Sequence, residues 1–139
     1  MSFWFSESHT DNVKLNIMVD AQLYSKTSNY QKIDIFQSRE FGRVLTLDDV
    51  IVLTEKDEFI YHEMLIHPAM AVHPKVKKVL VVGAGDGGAL RELCRYPDIE
   101  SIDLVEIDGT LVDACREYLP TCSVGYQDPR VNVHIQDGL

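Results

Sequence analysis

The chain lacks long apolar runs, is poor in cysteine and is short of cations. No stretch approaches the ~18 consecutive apolar residues of a membrane span, so no membrane partner is expected. Lys and Arg number 13 against 22 Asp and Glu, a net charge of −9. That imbalance argues against nucleic acid and anionic lipid as partners. It suits small cations, and it equally suits any acidic soluble protein. The three cysteines, Cys94, Cys115 and Cys122, are odd in number and lack metal-type pairing. Cys94 and Cys115 fall at apolar helical positions and read as reduced core thiols, as expected in the cytosol. The first residues are polar and acidic rather than basic then apolar, so no secretory leader is expected. Internal repeats and low-complexity segments are absent.

What remains is a chain of 139 residues, 45% hydrophobic, enough to build a core. Its pattern changes along its length. Residues 1–54 read as β structure: Val13, Leu15, Ile17 and Val19 alternate with other residues, as do Ile33 and Ile35. Residues 43–47 and 50–53 flank Asp48-Asp49, a hairpin signal weakened because the favoured turn needs positive φ at both positions. Thr54 is expected to cap a helix with acids in its first turn. Phe59, Ile60, Met64 and Leu65 supply that helix with an apolar stripe, and Pro68 and Pro74 punctuate it, Pro68 by a kink or a new start.

From residue 55 the chain is read as a second domain. Its spacing predicts strands at 78–82, 102–106 and 131–135, separated by helices over about 87–95 and 109–118. This is half of a doubly wound parallel sheet. Such a sheet normally continues for several strands, so the chain is expected to be the amino-terminal part of something longer.

The first strand runs into Gly83-Ala84-Gly85-Asp86-Gly87-Gly88. A glycine turn between strand and helix is where an open α/β sheet docks nucleotides. Glu106 at the end of the second strand can accept both hydroxyls of a ribose. Asp137 at the end of the third can accept the exocyclic amine of adenine, with Gly138 leaving room for the ring. Asp108 reads as a helix N-cap. Asp86 counts against a dinucleotide, because it would face the pyrophosphate normally held at the helix N-terminus. It also opposes the carboxylate of S-adenosylmethionine. Decarboxylated S-adenosylmethionine, with a cationic aminopropyl arm and no carboxylate, removes the conflict.

His62 and His67 bracket a glutamate in a zinc-protease-like string. Five residues turn a helix by about 500°, leaving the imidazoles roughly 140° apart, so they are not expected to share a metal. His9, His73 and His134 show no evident partners. Tyr61 and His62 can line an amine pocket through hydrogen bonds and cation–π contact; core packing for Tyr61 is an equal alternative.

Together these residues resemble the spermidine synthases, polyamine aminopropyltransferases. The likeness runs through Trp4-Phe5, Tyr30-Gln31-Lys32-Ile33, residues 47–51 and 54–64, Gly83–Gly88, residues 105–108 and Asp137-Gly138. It implies a small antiparallel β domain (residues 1–54) that mediates oligomerisation as a homodimer or homotetramer, then a partial Rossmann-like, methyltransferase-type α/β domain (55–139). It implies aminopropyl transfer from decarboxylated S-adenosylmethionine to putrescine, giving spermidine and methylthioadenosine, with no metal and no cofactor. Gln31, Gly83, Gly85, Glu106, Asp137 and Gly138 would bind the donor nucleoside. Asp86 would hold the amine of its arm, and Tyr61 and His62 the polyamine side. The general-base aspartate of the family lies on a later strand, after Leu139, so the 139 residues alone are expected to be inactive. Ala84 departs from the usual middle glycine of the turn and fits if its φ is negative; Asp49 stands at a frequent glycine position. The alternatives are a methyltransferase using S-adenosylmethionine and an inactive assembly module.

Overall fold

The structure is a computed structural model that describes residues 1–73 and 75–139; the expected break at Pro74 lies outside them. The chain forms two compact units, Met1–Glu58 and Phe59–Leu139.

The first unit is all β. Strands β1 (Phe3–Thr10) and β2 (Val13–Val19) make an antiparallel pair. Strands β3 (Ala21–Thr27), β4 (Lys32–Ser38), β5 (Gly42–Leu47) and β6 (Val50–Thr54) make an antiparallel sheet in chain order. Phe5, Ile17, Val19 and Phe36 form a buried cluster, with the Phe5 and Phe36 rings 5.0 Å apart. Glu7 ties the two sheets by accepting the Ile51 N–H at 2.7 Å. The β5–β6 hairpin turns on Asp48 (φ +50°) and Asp49 (φ +63°), so both acids adopt the left-handed geometry that a two-residue hairpin requires. Lys32 steadies this turn by bonding Asp49 at 2.9 Å.

Helix α1 spans Glu58–Val72. Thr54 does not cap it. Thr54 ends β6, and its hydroxyl meets the Asp57 carboxylate at 2.6 Å, one turn before the helix begins. Pro68 neither ends the helix nor restarts it. The carbonyl that Pro68 leaves without an N–H partner belongs to Met64, whose residue is exposed and can meet water. The expected apolar stripe is exposed as well: Phe59, Ile60, Met64 and Leu65 all lie outward. The buried line is instead Glu58, His62 and Ile66, at helical spacing of four. The helix is apolar on both sides, and counting apolar residues identified the wrong face.

The second unit follows the predicted alternation: β7 (Lys78–Val82), α2 (Gly88–Leu93), β8 (Ser101–Glu106), α3 (Gly109–Tyr118), a 3-10 segment (Cys122–Gln127) and β9 (Val131–Ile135). The three strands are parallel in the order β7-β8-β9. Ala89, Leu90 and Leu93 of α2 pack on Ile102 and Leu104 of β8, with Ile66 of α1, to form the core. On the opposite face of the sheet Leu80 and Val82 are exposed. Asp108 caps α3 as expected, accepting N–H bonds from Thr110 and Leu111. Among the described residues no helix is long and apolar enough to cross a membrane.

Candidate nucleoside and amine site

The glycine turn lies at the carboxyl end of β7 and is fixed from three directions. Gly83 donates its N–H to Val105 of the neighbouring strand at 2.8 Å. Tyr126, in the 3-10 segment, donates its hydroxyl to the Gly85 carbonyl at 2.8 Å. Glu106, buried at the end of β8, accepts the Gly85 N–H through Oε2 and the Asp108 N–H through Oε1, each at 3.0 Å. A carboxylate has about four acceptor positions, so each oxygen keeps room for a further donor such as a ribose hydroxyl. A Cβ at Gly85 would come within 3.0 Å of Glu106 Oε2, so glycine here keeps the carboxylate against the turn.

Ala84 has φ +66°, not the negative value under which its methyl was expected to fit. Two successive left-handed residues, Gly83 and Ala84, make the chain reverse between β7 and the glycines that open α2. The methyl group points to the side of the Leu90 core cluster, which accommodates it.

Asp86 is buried, and its Oδ1 accepts the Gly88 N–H at 2.7 Å. His62 Nε2 lies 3.0 Å from the same oxygen and Cys122 Sγ 3.7 Å. Burial raises the pKa of this carboxyl, but the bonds from His62 and Gly88 outweigh it and hold the group below its ordinary value. Asp86 is therefore a fixed anion in a nearly dry setting. Burial, with the nearby Asp86 and Glu106 charges, pushes the Cys115 thiol upward. The Tyr126 hydroxyl is also raised, chiefly by burial.

The predicted site residues divide. Gly83, Gly85, Asp86, Glu106 and His62 converge on the turn. Tyr61 does not share the buried position of His62: it is 67% exposed, with its ring edge-on to the imidazole at 5.2 Å. Tyr61 therefore lies outside the packed core of the described residues. Strand β9 ends at Ile135, two residues before Asp137, whose exposed carboxylate accepts the Leu139 N–H at 3.0 Å. Gly138 reaches back over β7, where a Cβ would lie 2.7 Å from Val82 Cγ1. Gln31 belongs to the first unit, in the turn between β3 and β4, where its N–H meets the Ser28 hydroxyl.

The two histidines follow separate paths. His67 contacts Tyr96 and Glu92, at 2.6 and 3.1 Å, while His62 turns to Asp86. The isolated histidines have partners after all. His9 pairs with Glu7, His134 with Asp103, and His73 accepts the Lys75 N–H. Sequence reasoning missed the 3-10 segment as part of the site. Gly125 lets it lie on α2, since a Cβ there would come within 2.6 Å of the Arg91 nitrogen. The Gly125-Tyr126 pair before Asp128-Pro129 was the available signal.

Residues 58–139 match the family model described as spermine/spermidine synthase domain, and residues 3–55 match that described as spermidine synthase tetramerisation domain. The chain belongs to the spermine/spermidine synthase family. It is 55% identical over 139 residues to a polyamine aminopropyltransferase of Alkaliphilus oremlandii (strain OhILAs), covering 100% of this chain and 49% of the relative. It is 56% identical, with the same coverage, to a polyamine aminopropyltransferase of Clostridium perfringens (strain SM101 / Type A). A crystal structure of spermidine synthase from Thermotoga maritima superposes with a TM-score of 0.95 at 44% identity, covering 98% of this chain and 48% of that one. A spermidine synthase structure in complex with the transition state analogue AdoDATO matches equally well. The chain thus spans about half the length of these family members.

Proposed function

We propose that the chain supplies the donor half of an aminopropyltransferase site. The reaction moves an aminopropyl group from decarboxylated S-adenosylmethionine to putrescine, leaving spermidine and methylthioadenosine. The observation that carries this reading is the position of Asp86, an anion held by Gly88 and His62 within the same turn that Glu106 braces. A nucleoside whose ribose meets Glu106 extends its cationic arm toward Asp86. A phosphate or carboxylate in that place would be repelled. Gln31, Asp137 and Gly138 complete the nucleoside contacts in this reading, and Tyr61 faces the acceptor amine.

The chemistry asks little of the chain beyond placement. The sulfonium is already a leaving group, so rate comes from aligning an amine with the adjacent carbon and from removing the amine proton. The base for that proton is assigned to the part of the family domain not spanned by these residues. No metal or cofactor enters the scheme. The β unit, matching a tetramerisation domain, is assigned to assembly of identical subunits. Among the described residues Cys94, Cys115 and Cys122 form no disulfide, which suits action in the reducing cytosol.

Calorimetry on the 139-residue chain tests the reading. Decarboxylated S-adenosylmethionine and methylthioadenosine should bind in clear preference to S-adenosylmethionine. Asp86→Asn should weaken the decarboxylated donor more than methylthioadenosine, which has no amine. Equal losses for the two would refute the charge role, and a preference for S-adenosylmethionine would favour a methyltransferase.

A further inference from the structure

We infer that Tyr126 is a positioning residue for the donor site: it holds the peptide between Gly85 and Asp86 so that Asp86 presents one oxygen to the incoming amine. The amine is that of the aminopropyltransferase reading, on which this role rests; the hold on the turn stands without it. Gly85 is gripped at both of its polar groups by side chains from elsewhere in the chain. Its N–H goes to Glu106 Oε2 at 3.0 Å, and its carbonyl accepts the Tyr126 hydroxyl at 2.8 Å. The two grips act on different peptide units. The Gly85 N–H belongs to the plane shared with Ala84, and the Gly85 carbonyl to the plane shared with the Asp86 N–H. Glu106 therefore fixes the way into Gly85, and Tyr126 fixes the way out to Asp86.

The segment that carries Tyr126 is anchored for this reach. Ser123 donates its hydroxyl to the Cys115 carbonyl of α3 at 3.2 Å, while Gly125 lies against α2. Gly87 leaves space for the Tyr126 ring, since a Cβ there would stand 2.8 Å from Cε2. Burial raises the pKa of the phenol, so it donates at neutral pH. At Asp86 the contacts fall on one side. The Gly88 N–H, His62 Nε2 and Cys122 Sγ approach Oδ1, at 2.7, 3.0 and 3.7 Å. Oδ2 is the oxygen left to a ligand. The Asp86 side chain keeps 13% of its surface open, against 3% for His62, so the carboxylate is the member of this pair that an amine can reach.

Removing the Tyr126 hydroxyl frees the Gly85 carbonyl and lets the peptide to Asp86 turn. The bond from the Gly85 N–H to Glu106 remains. The amine anchor should therefore loosen while the ribose anchor survives. A role in stability alone carries no such asymmetry between ligands.

The test compares Tyr126→Phe with the unaltered 139-residue chain. Phenylalanine keeps the ring beside Gly87, and circular dichroism shows that the variant is folded. By calorimetry, decarboxylated S-adenosylmethionine should bind about tenfold more weakly, the net worth of about one hydrogen bond. Methylthioadenosine, which has no amine, should lose no more than about twofold, the low end of that range. Amide hydrogen exchange gives a readout without ligand. The Gly88 N–H, bonded to Asp86, should lose about tenfold in protection beyond any change at the Leu119 N–H, which bonds Cys115 at the end of α3. Tyr96→Phe removes a hydroxyl that meets His67 away from the turn, and it should leave both affinities and the Gly88 protection unchanged. Equal losses for the two ligands, or no loss for either, overturn the inference. So does Gly88 protection that falls no further than that of Leu119. Should Tyr126→Phe not fold, Tyr126→3-fluorotyrosine replaces it: altering the strength of the donor should move the Gly88 protection, and no movement overturns the inference. Binding of neither ligand by the unaltered chain refutes the aminopropyltransferase reading and the amine role with it, and the Gly88 protection then decides by itself whether Tyr126 holds Asp86.

Discussion

The imidazole of His62 lies directly against the Cα of Gly88, so close that a Cβ built there would overlap the ring. Gly88 also gives its N–H to Asp86, the residue that His62 faces. The last glycine of the turn is thus required by an imidazole from another helix. Gly88→Ala should destabilise by about 1–3 kcal/mol, the usual cost of forcing a methyl into a filled space. Urea unfolding of a double-mutant cycle with His62→Ala separates the cause. The alanine at 88 should cost little once the ring is gone. An equal cost in both backgrounds would locate the strain in the backbone instead.

Strands β7, β8 and β9, the two crossover helices and the Asp108 cap were legible because each is a local pattern with its own punctuation. Four-residue apolar runs, glycines at strand ends and an Asp before a helix all act within a few positions. The helix α1 was legible in place but not in orientation. Both its sides are apolar, and only packing decides that Ile66 and His62 go inward while Phe59 and Met64 stay out. The site divided in the same way. Asp86 and Glu106 stand out because acids beside a glycine turn are chemically conspicuous. Tyr126 and Cys122 reach the turn from more than 30 residues away, by way of a 3-10 segment with no strong periodicity. The left-handed Ala84 could not be read either, since alanine seldom adopts it.

Glu106→Gln should injure both the fold and the ligand. Both glutamate oxygens accept buried backbone N–H bonds, from Gly85 and Asp108. An amide offers one oxygen, so one N–H is left facing an NH2 group, at a cost of about 1–3 kcal/mol. Urea unfolding should show that loss. Methylthioadenosine affinity should fall in the same variant, because the ribose meets the same group in the proposed function. Reduced stability with unchanged affinity would move the ribose elsewhere.

Ala84→Gly should be mildly stabilising. A left-handed L-residue costs about 1–2 kcal/mol, and the glycine gives back about 0.4–1 kcal/mol through its freer unfolded chain. The Ala84 methyl also packs at the edge of the Leu90 cluster, which holds the gain to at most about 1 kcal/mol. Thermal unfolding at pH 7 should show a raised midpoint. A clear fall would mean that the methyl contributes more packing than its backbone costs.

Acid sensitivity should trace to the Asp128–Arg130 staple. The Arg130 guanidinium bonds both Asp128 oxygens, at 3.0 and 2.8 Å, and bridges to the carbonyls of Cys94, Tyr96 and Ile99. It thereby ties the start of β9 to the chain leaving α2. The bonds from Arg130 hold the Asp128 carboxyl well below its ordinary value. Glu92 is lowered as well, where the bonds from Arg95 and Arg91 outweigh the effect of burial. A group depressed in the folded state adds stability that is full above its unfolded pKa, near 4 for a carboxyl. That stability is lost as pH falls through the lower folded value. Urea midpoints should therefore hold from pH 7 to pH 5 as far as these two groups are concerned, then drop steeply below pH 4. Arg130→Met should lower the midpoint at pH 7 by removing the staple, and it should flatten the acid limb by returning Asp128 toward its ordinary pKa. An acid limb of unchanged slope in Arg130→Met would mean that other carboxyls control the transition.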